Sequence, residues 1–146
     1  MKKIATFFCI CALLLSACSR PQSKDTGKSA MAVQQTNLYM DALKASDFDA
    51  AWKFYARDFF MTHSEEGWRD YLQGVEKKRG KMQRYEVSDQ QMDIRYSGTF
   101  FIVNYRVWYA NSKKSSSQIV TMIEPVTGGP MQIYAHKLEF DDVQVQ

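Results

Sequence analysis

The sequence predicts an α+β domain in which three N-terminal helices pack on a four-stranded antiparallel sheet. Two observations carry that prediction. Apolar residues recur at helical spacing from Met31 to Val75, then alternate with polar ones at a period of two from Tyr85 to Phe140. The helices all precede the strands, an order that segregates helices onto one face of an antiparallel sheet. The 146 residues fit one domain, and 45% hydrophobic with 14% aromatic content excludes a disordered tail.

The first helix is predicted from Ala30, with Met31, Leu38, Ala42 and Ala45 on its buried face. Ser46-Asp47 breaks it, and Asp47 is placed to cap the next helix. Phe48, Ala51, Trp52, Tyr55 and Phe59 form an amphipathic stripe for a second helix. Thr62-His63-Ser64-Glu65 matches a capping box that opens the third, with Thr62 as N-cap. Trp68, Tyr71, Leu72 and Val75 are its apolar face, Lys77-Lys78-Arg79 its last turn, and Gly80 its end. Those three cations complement the helix dipole, which accounts for the run without a nucleic-acid site.

Strand signals follow. Tyr85 and Val87 alternate in one phase and Met92, Ile94 and Tyr96 in the other, which predicts a bulge or bend near Ser88 to Gln91. Ser97-Gly98 is a turn, and Phe101, Val103, Tyr105, Val107 and Tyr109 mark the clearest strand. Gln118 to Glu124 is a third strand; Met131 to Phe140 is a fourth, after a turn at Val126 to Pro130.

Ahead of this domain, Met1-Lys2-Lys3 and the apolar run Ile4 to Leu15 have the anatomy of a secretory signal. The run is too short for the roughly 20 residues that span a bilayer. Leu15-Ser16-Ala17-Cys18 resembles the lipobox of bacterial lipoproteins. That resemblance implies a signal peptide at 1–17, cleavage before Cys18, and a diacylglyceryl group on Cys18 with acylation of the new amino terminus, palmitate-type chains included. Two or more chains, at about 0.8 kcal/mol per buried CH₂, anchor durably where one does not. Ser19 after the cysteine implies the outer membrane, facing the periplasm, if the host is Gram-negative. Residues 18–29 read as the lipidated Cys and a polar tether, and 30–146 as the folded domain.

The signal also explains the charge. The formal net charge of +3 includes Lys2 and Lys3; without them 17 cations face 16 anions. That balance gives no argument for a nucleic-acid partner. Cys9 and Cys11 leave with the signal, so no disulfide or thiol chemistry is expected of the mature chain.

Tyr39 to Trp52, Glu66-Gly67-Trp68 with Tyr71-Leu72, and Gly129-Pro130-Met131-Gln132-Ile133-Tyr134-Ala135-His136 together resemble the NTF2-like, or cystatin-like, cone fold over about residues 30–140. The resemblance implies a curved sheet enclosing a pocket, lined by Trp52, Tyr55, Phe59, Trp68, Tyr71, Tyr105 and His136. It also implies an outer sheet face, with Phe100, Ile102 and Trp108, suited to a homodimer or an envelope protein partner. Two functional readings stay open. The first is a non-catalytic, lipid-anchored envelope protein that binds a small apolar ligand or a protein partner. The alternative is an NTF2-like enzyme of isomerase, dehydratase or hydrolase type, acting on a small hydrophobic substrate with His136 or Asp93 as acid/base and Tyr105 and Arg106 of suitable type. No nucleophile elbow, phosphate loop or metal-ligand spacing is present, so neither a cofactor nor a metal is expected.

Overall fold

The computed structural model describes residues 26–140. The expected signal peptide, Cys18 and the expected tether as far as Asp25 lie outside the described residues. Among the described residues the order is α1 (Thr26–Lys44), α2 (Phe48–Trp52), α3 (Phe59–Thr62), α4 (Glu65–Arg79), β1 (Met82–Arg95), β2 (Gly98–Tyr109), β3 (Ser116–Pro125) and β4 (Gln132–Glu139). The strands form one antiparallel sheet in the order β1-β2-β3-β4. This is an α+β fold with the helices before the sheet in sequence.

Helix α1 starts at Thr26, four residues ahead of the Ala30 boundary that the polar composition indicated. Its buried face also differs from the expected stripe. Met31 and Leu38 are exposed, whereas Ala32, Thr36, Tyr39, Met40 and Leu43 are buried. The true stripe contains Thr36, a polar residue whose hydroxyl bonds back to Ala32 O at 3.0 Å, and this masked the pattern.

The expected second helix is divided. Asp47 caps it as anticipated, its carboxylate accepting from Ala50 N–H at 2.9 Å. After Trp52, however, the backbone turns to the edge of β4: Ile133 N–H donates to Phe54 O at 2.7 Å, and Ala56 N–H to Ile133 O at 2.9 Å. A helix through Tyr55 would keep those groups for itself, so edge pairing ends α2 and α3 restarts the helical path. The start of α4 moves as well. Ser64, not Thr62, is the N-cap, with its hydroxyl accepting from Gly67 N–H at 3.1 Å. Thr62 instead donates to Phe59 O at 3.1 Å. Gly80, at φ 78°, ends α4 where expected.

The bulge in β1 falls between Val87 and Asp89, inside the predicted phase slip. In β2 the odd-numbered residues Phe101 to Tyr109 face the helices and are buried. They meet Ser116, Gln118, Val120 and Met122 of β3, which face the same way. Besides a further shift in β1 between Met82 and Arg84, a third register shift, opposite Thr121 and Met122, alters β4. Ile133, His136 and Leu138 point inward, while Tyr134, at the shift, packs edge-on to Phe100 at 5.3 Å on the outer face. The core joins Tyr39, Met40 and Leu43 of α1 and Leu72 of α4 to these sheet residues, with Tyr55 and Phe59 closing it. Each large apolar side chain buried here stabilises the fold by about 1.5–3 kcal/mol. No helix among the described residues is long and apolar enough to cross a membrane.

Candidate functional site

His136 is the centre of a buried chain of hydrogen bonds that links α1, α4, β2, β3, β4 and the segment after α2. Its Nε2 lies 3.1 Å from Gln118 Oε1 on β3, and its Nδ1 lies 3.0 Å from Tyr39 Oη and 3.1 Å from Tyr55 Oη. Tyr39 and Tyr55 hydroxyls are 2.6 Å apart, and Trp68 of α4 donates its indole N–H to Tyr55 Oη at 2.8 Å. At the other end Gln118 donates its amide N–H to Tyr109 Oη at 2.6 Å.

The donors fix the tautomer. Gln118 uses its nitrogen on Tyr109, so its oxygen is left to accept and His136 carries the proton on Nε2. Nδ1 is then a lone pair that takes one phenol proton, and the two tyrosines share their remaining proton between them. No buried side-chain nitrogen or oxygen among the described residues lacks a partner.

Electrostatics keep the chain neutral. Burial pulls the His136 imidazole down to about 3, because a charged ring would lose its water. Burial likewise pushes the Tyr39 and Tyr55 phenols well above their ordinary range. Tyr109 is raised to about 12 by burial, against the opposing hydrogen bond from Gln118.

Trp68 and His136 of this cluster line an open groove of about 530 Å³ between the α3–α4 junction and β4. Thr62, His63, Ser64, Gly67, Trp68 and Tyr71 form one wall, and His136, Lys137 and Leu138 the other. Aromatic rings dominate the helical wall. Trp68 stacks on Tyr71 at 5.2 Å, and exposed His63 stacks on Phe59 at 4.4 Å with an 8° interplanar angle.

Of the seven expected pocket residues, Trp68, Tyr71 and His136 line this groove. Phe59, Tyr55 and Trp52 join them behind it through ring contacts, Trp68 to Phe59 at 5.2 Å, Phe59 to Tyr55 at 4.6 Å and Tyr55 to Trp52 at 5.4 Å. Between the helices and the sheet, the space beside Gln118 is small. The concavity lined by Leu43, Leu72, Met82, Gln118 and Leu138 admits only about 20 Å³, roughly one water. Trp52 sits at the outer end of that ring series, its indole N–H donating to Glu65 at 2.6 Å and Arg69 standing 4.7 Å over its ring. Tyr105 is buried elsewhere, 2.6 Å from Thr36 Oγ1 and donating to Asn37 Oδ1 at 2.9 Å.

The acid/base set read from residue types does not converge. Asp93 pairs with Arg95 at 2.7 Å and Arg106 with Glu86 at 3.1 Å, both on the sheet face opposite His136. Strand alternation separates them: Asp93 sits opposite Phe100, in the outward phase. The same face changes the interface reading. Phe100 is buried within the chain, Ile102 is half-buried, and the Arg84 guanidinium stands 3.3 Å over the Trp108 ring. Among the described residues no group of three or more His, Cys, Asp or Glu is placed to hold a metal ion.

Tyr39 and Gln118 escaped the sequence reading. Gln118 left a usable signal, a polar residue in the inward phase of Val120 and Met122. Tyr39 left none, since Leu38 beside it satisfied the mistaken stripe. Comparison of the chain with protein-family models, with curated proteins and with solved structures gives no match.

Proposed function

We propose that this chain is a lipid-anchored envelope protein that works by binding, and that its groove above His136 receives an apolar or aromatic segment of a protein partner. The observation that carries this reading is the state of His136 in the groove's lining. Both nitrogens of His136 are occupied, and burial leaves the ring so weakly basic that it is a poor proton acceptor near neutral pH. The groove offers stacked rings and Leu138 rather than converging charges. Its openness favours a protruding side chain over an enclosed small molecule.

Anchoring rests on Leu15-Ser16-Ala17-Cys18 and the export-signal anatomy before it. Outer-membrane placement facing the periplasm follows for a Gram-negative host. The helices-then-meander order, with helices on one sheet face, supports assignment to the NTF2-like or cystatin-like cone folds.

The anchoring half is tested by Cys18→Ser, which should abolish lipid labelling and membrane fractionation; unchanged retention would overturn it. The binding half is tested by a photo-crosslinking side chain at Tyr71 in the full chain in host cells. A discrete adduct that is absent from the same probe at Lys113, and lost in Trp68→Ala with the fold intact, supports the groove. A retained small molecule in the native mass of the purified protein would replace the partner by a ligand. Neither adduct nor ligand would count against binding at this site.

A further inference from the structure

The end of the domain where α1 begins carries three exposed apolar side chains on adjacent turns. Ile94 is 69% exposed, Tyr96 100% and Val126 73%. Val126 N–H donates to Ser97 O at 3.1 Å, which holds the β1–β2 and β3–β4 turns side by side. Ile94, Thr99 and Glu124 form one cross-strand row, and Lys28 in the first turns of α1 reaches Glu124 at 2.8 Å. The start of α1 is therefore tied to the same end of the sheet.

Cys18 lies eight residues before Thr26, a length that spans at most about 26–29 Å. The opposite end of β2 is eleven strand steps away, about 36 Å. A lipid on Cys18 thus tethers the domain by this end.

We infer that this end of the domain is a second membrane contact, in which Ile94, Tyr96 and Val126 enter the headgroup region of the bilayer and orient the sheet away from it. The inference rests on the lipid-anchored reading for the placement of the tether. Tyrosine suits the interfacial depth, with an apolar ring and a hydroxyl that stays wet. The contact leaves the groove over His136 clear of the turns that meet the lipid, since its walls come from α4 and the later part of β4.

The test uses the full chain purified from its host, its mass recorded, and reconstituted into phosphatidylethanolamine–phosphatidylglycerol vesicles with brominated acyl chains. Tyr96→Trp introduces an indole at the contact; Lys113→Trp introduces one in the β2–β3 connection at the far end. Difference emission against the parent chain should show roughly twofold or greater quenching by bromolipid for Tyr96→Trp and little for Lys113→Trp. Equal quenching of the two, or none for Tyr96→Trp, overturns the contact. A blue-shifted, unquenched indole at Tyr96→Trp would mean that a second copy or another protein covers this end, which also overturns it. The recorded mass judges the anchor separately. A Cys18 without diacylglycerol defeats the lipoprotein reading, while quenching still decides whether the turns meet the bilayer.

Discussion

Trp68 Nε1 stands 2.8 Å from Tyr55 Oη, joining α4 to the segment that leaves α2 for the edge of β4. The bond gives Tyr55 a role that Tyr39 does not share, although their hydroxyls are only 2.6 Å apart. If Tyr39 loses its hydroxyl, Tyr55 can still accept from Trp68 and donate to His136. If Tyr55 loses its own, the Trp68 N–H has no acceptor in the cluster. Tyr39→Phe is therefore expected to cost about 1 kcal/mol and Tyr55→Phe about 2–3 kcal/mol. Urea denaturation of both, with Trp68→Phe to close a double-mutant cycle, checks the order; equal losses would refute the assignment.

The neutral imidazole predicts an acid-labile fold. Unfolded, His136 titrates near its ordinary 6.5; folded, it is held down to about 3. Between those values the unfolded chain binds the extra proton, so stability is fully present above pH 6.5 and falls as pH drops toward 3. The slope from this residue is at most about 1.4 kcal/mol per pH unit. Denaturation midpoints at pH 7 and pH 5 should separate in the parent protein and draw together in His136→Gln, which keeps a donor and an acceptor but does not titrate.

Gln118 is predicted to be costlier to lose than its size implies. Gln118→Leu removes the acceptor for His136 Nε2–H and the donor to Tyr109 in one step. Leaving a buried N–H unpaired costs about 1–3 kcal/mol, and packing changes add to it. A thermal shift smaller than that of Ser117→Ala, on the opposite face of the same strand, would contradict the network.

The N-cap of α4 can be placed by substitution. Ser64→Ala should destabilise by about 1 kcal/mol, and Thr62→Ala by less, since only Ser64 receives a helix N–H. The reverse ranking in chemical denaturation would restore the cap to Thr62.

Two turn glycines should behave differently. Both have positive φ, 152° at Gly98 and 81° at Gly128, but a Cβ at Gly98 would strike the Glu124 backbone carbonyl while one at Gly128 meets open space. Gly128→Ala should cost about 1–2 kcal/mol, the left-handed backbone penalty alone. Gly98→Ala should cost about 3 kcal/mol or more, because backbone of the neighbouring strand cannot move aside cheaply. Equal melting temperatures would remove the steric argument.

The sequence by itself determined the α+β class, the strand pairing through short turns, the bulge near Ser88, the Asp47 cap and the end of α4 at Gly80. These are local: each depends on a residue's own backbone preference or on alternation along one strand. It also gathered Tyr55, Phe59, Trp68, Tyr71 and His136 as candidates, because large aromatics in a small domain usually meet. Only the tertiary structure decided which face of α1 is buried, since Thr36 serves the core through Ala32 O and Tyr105 rather than by being apolar. It alone divided the helix after Trp52, where pairing with Ile133 outweighs a continuous aromatic stripe. It also separated Asp93 and Arg106 from His136, and joined His136 to Tyr39 and Gln118, from residues 97 and 18 positions away. Partners so distant in sequence leave no periodic trace: register across the sheet, set jointly by its three register shifts, chooses them.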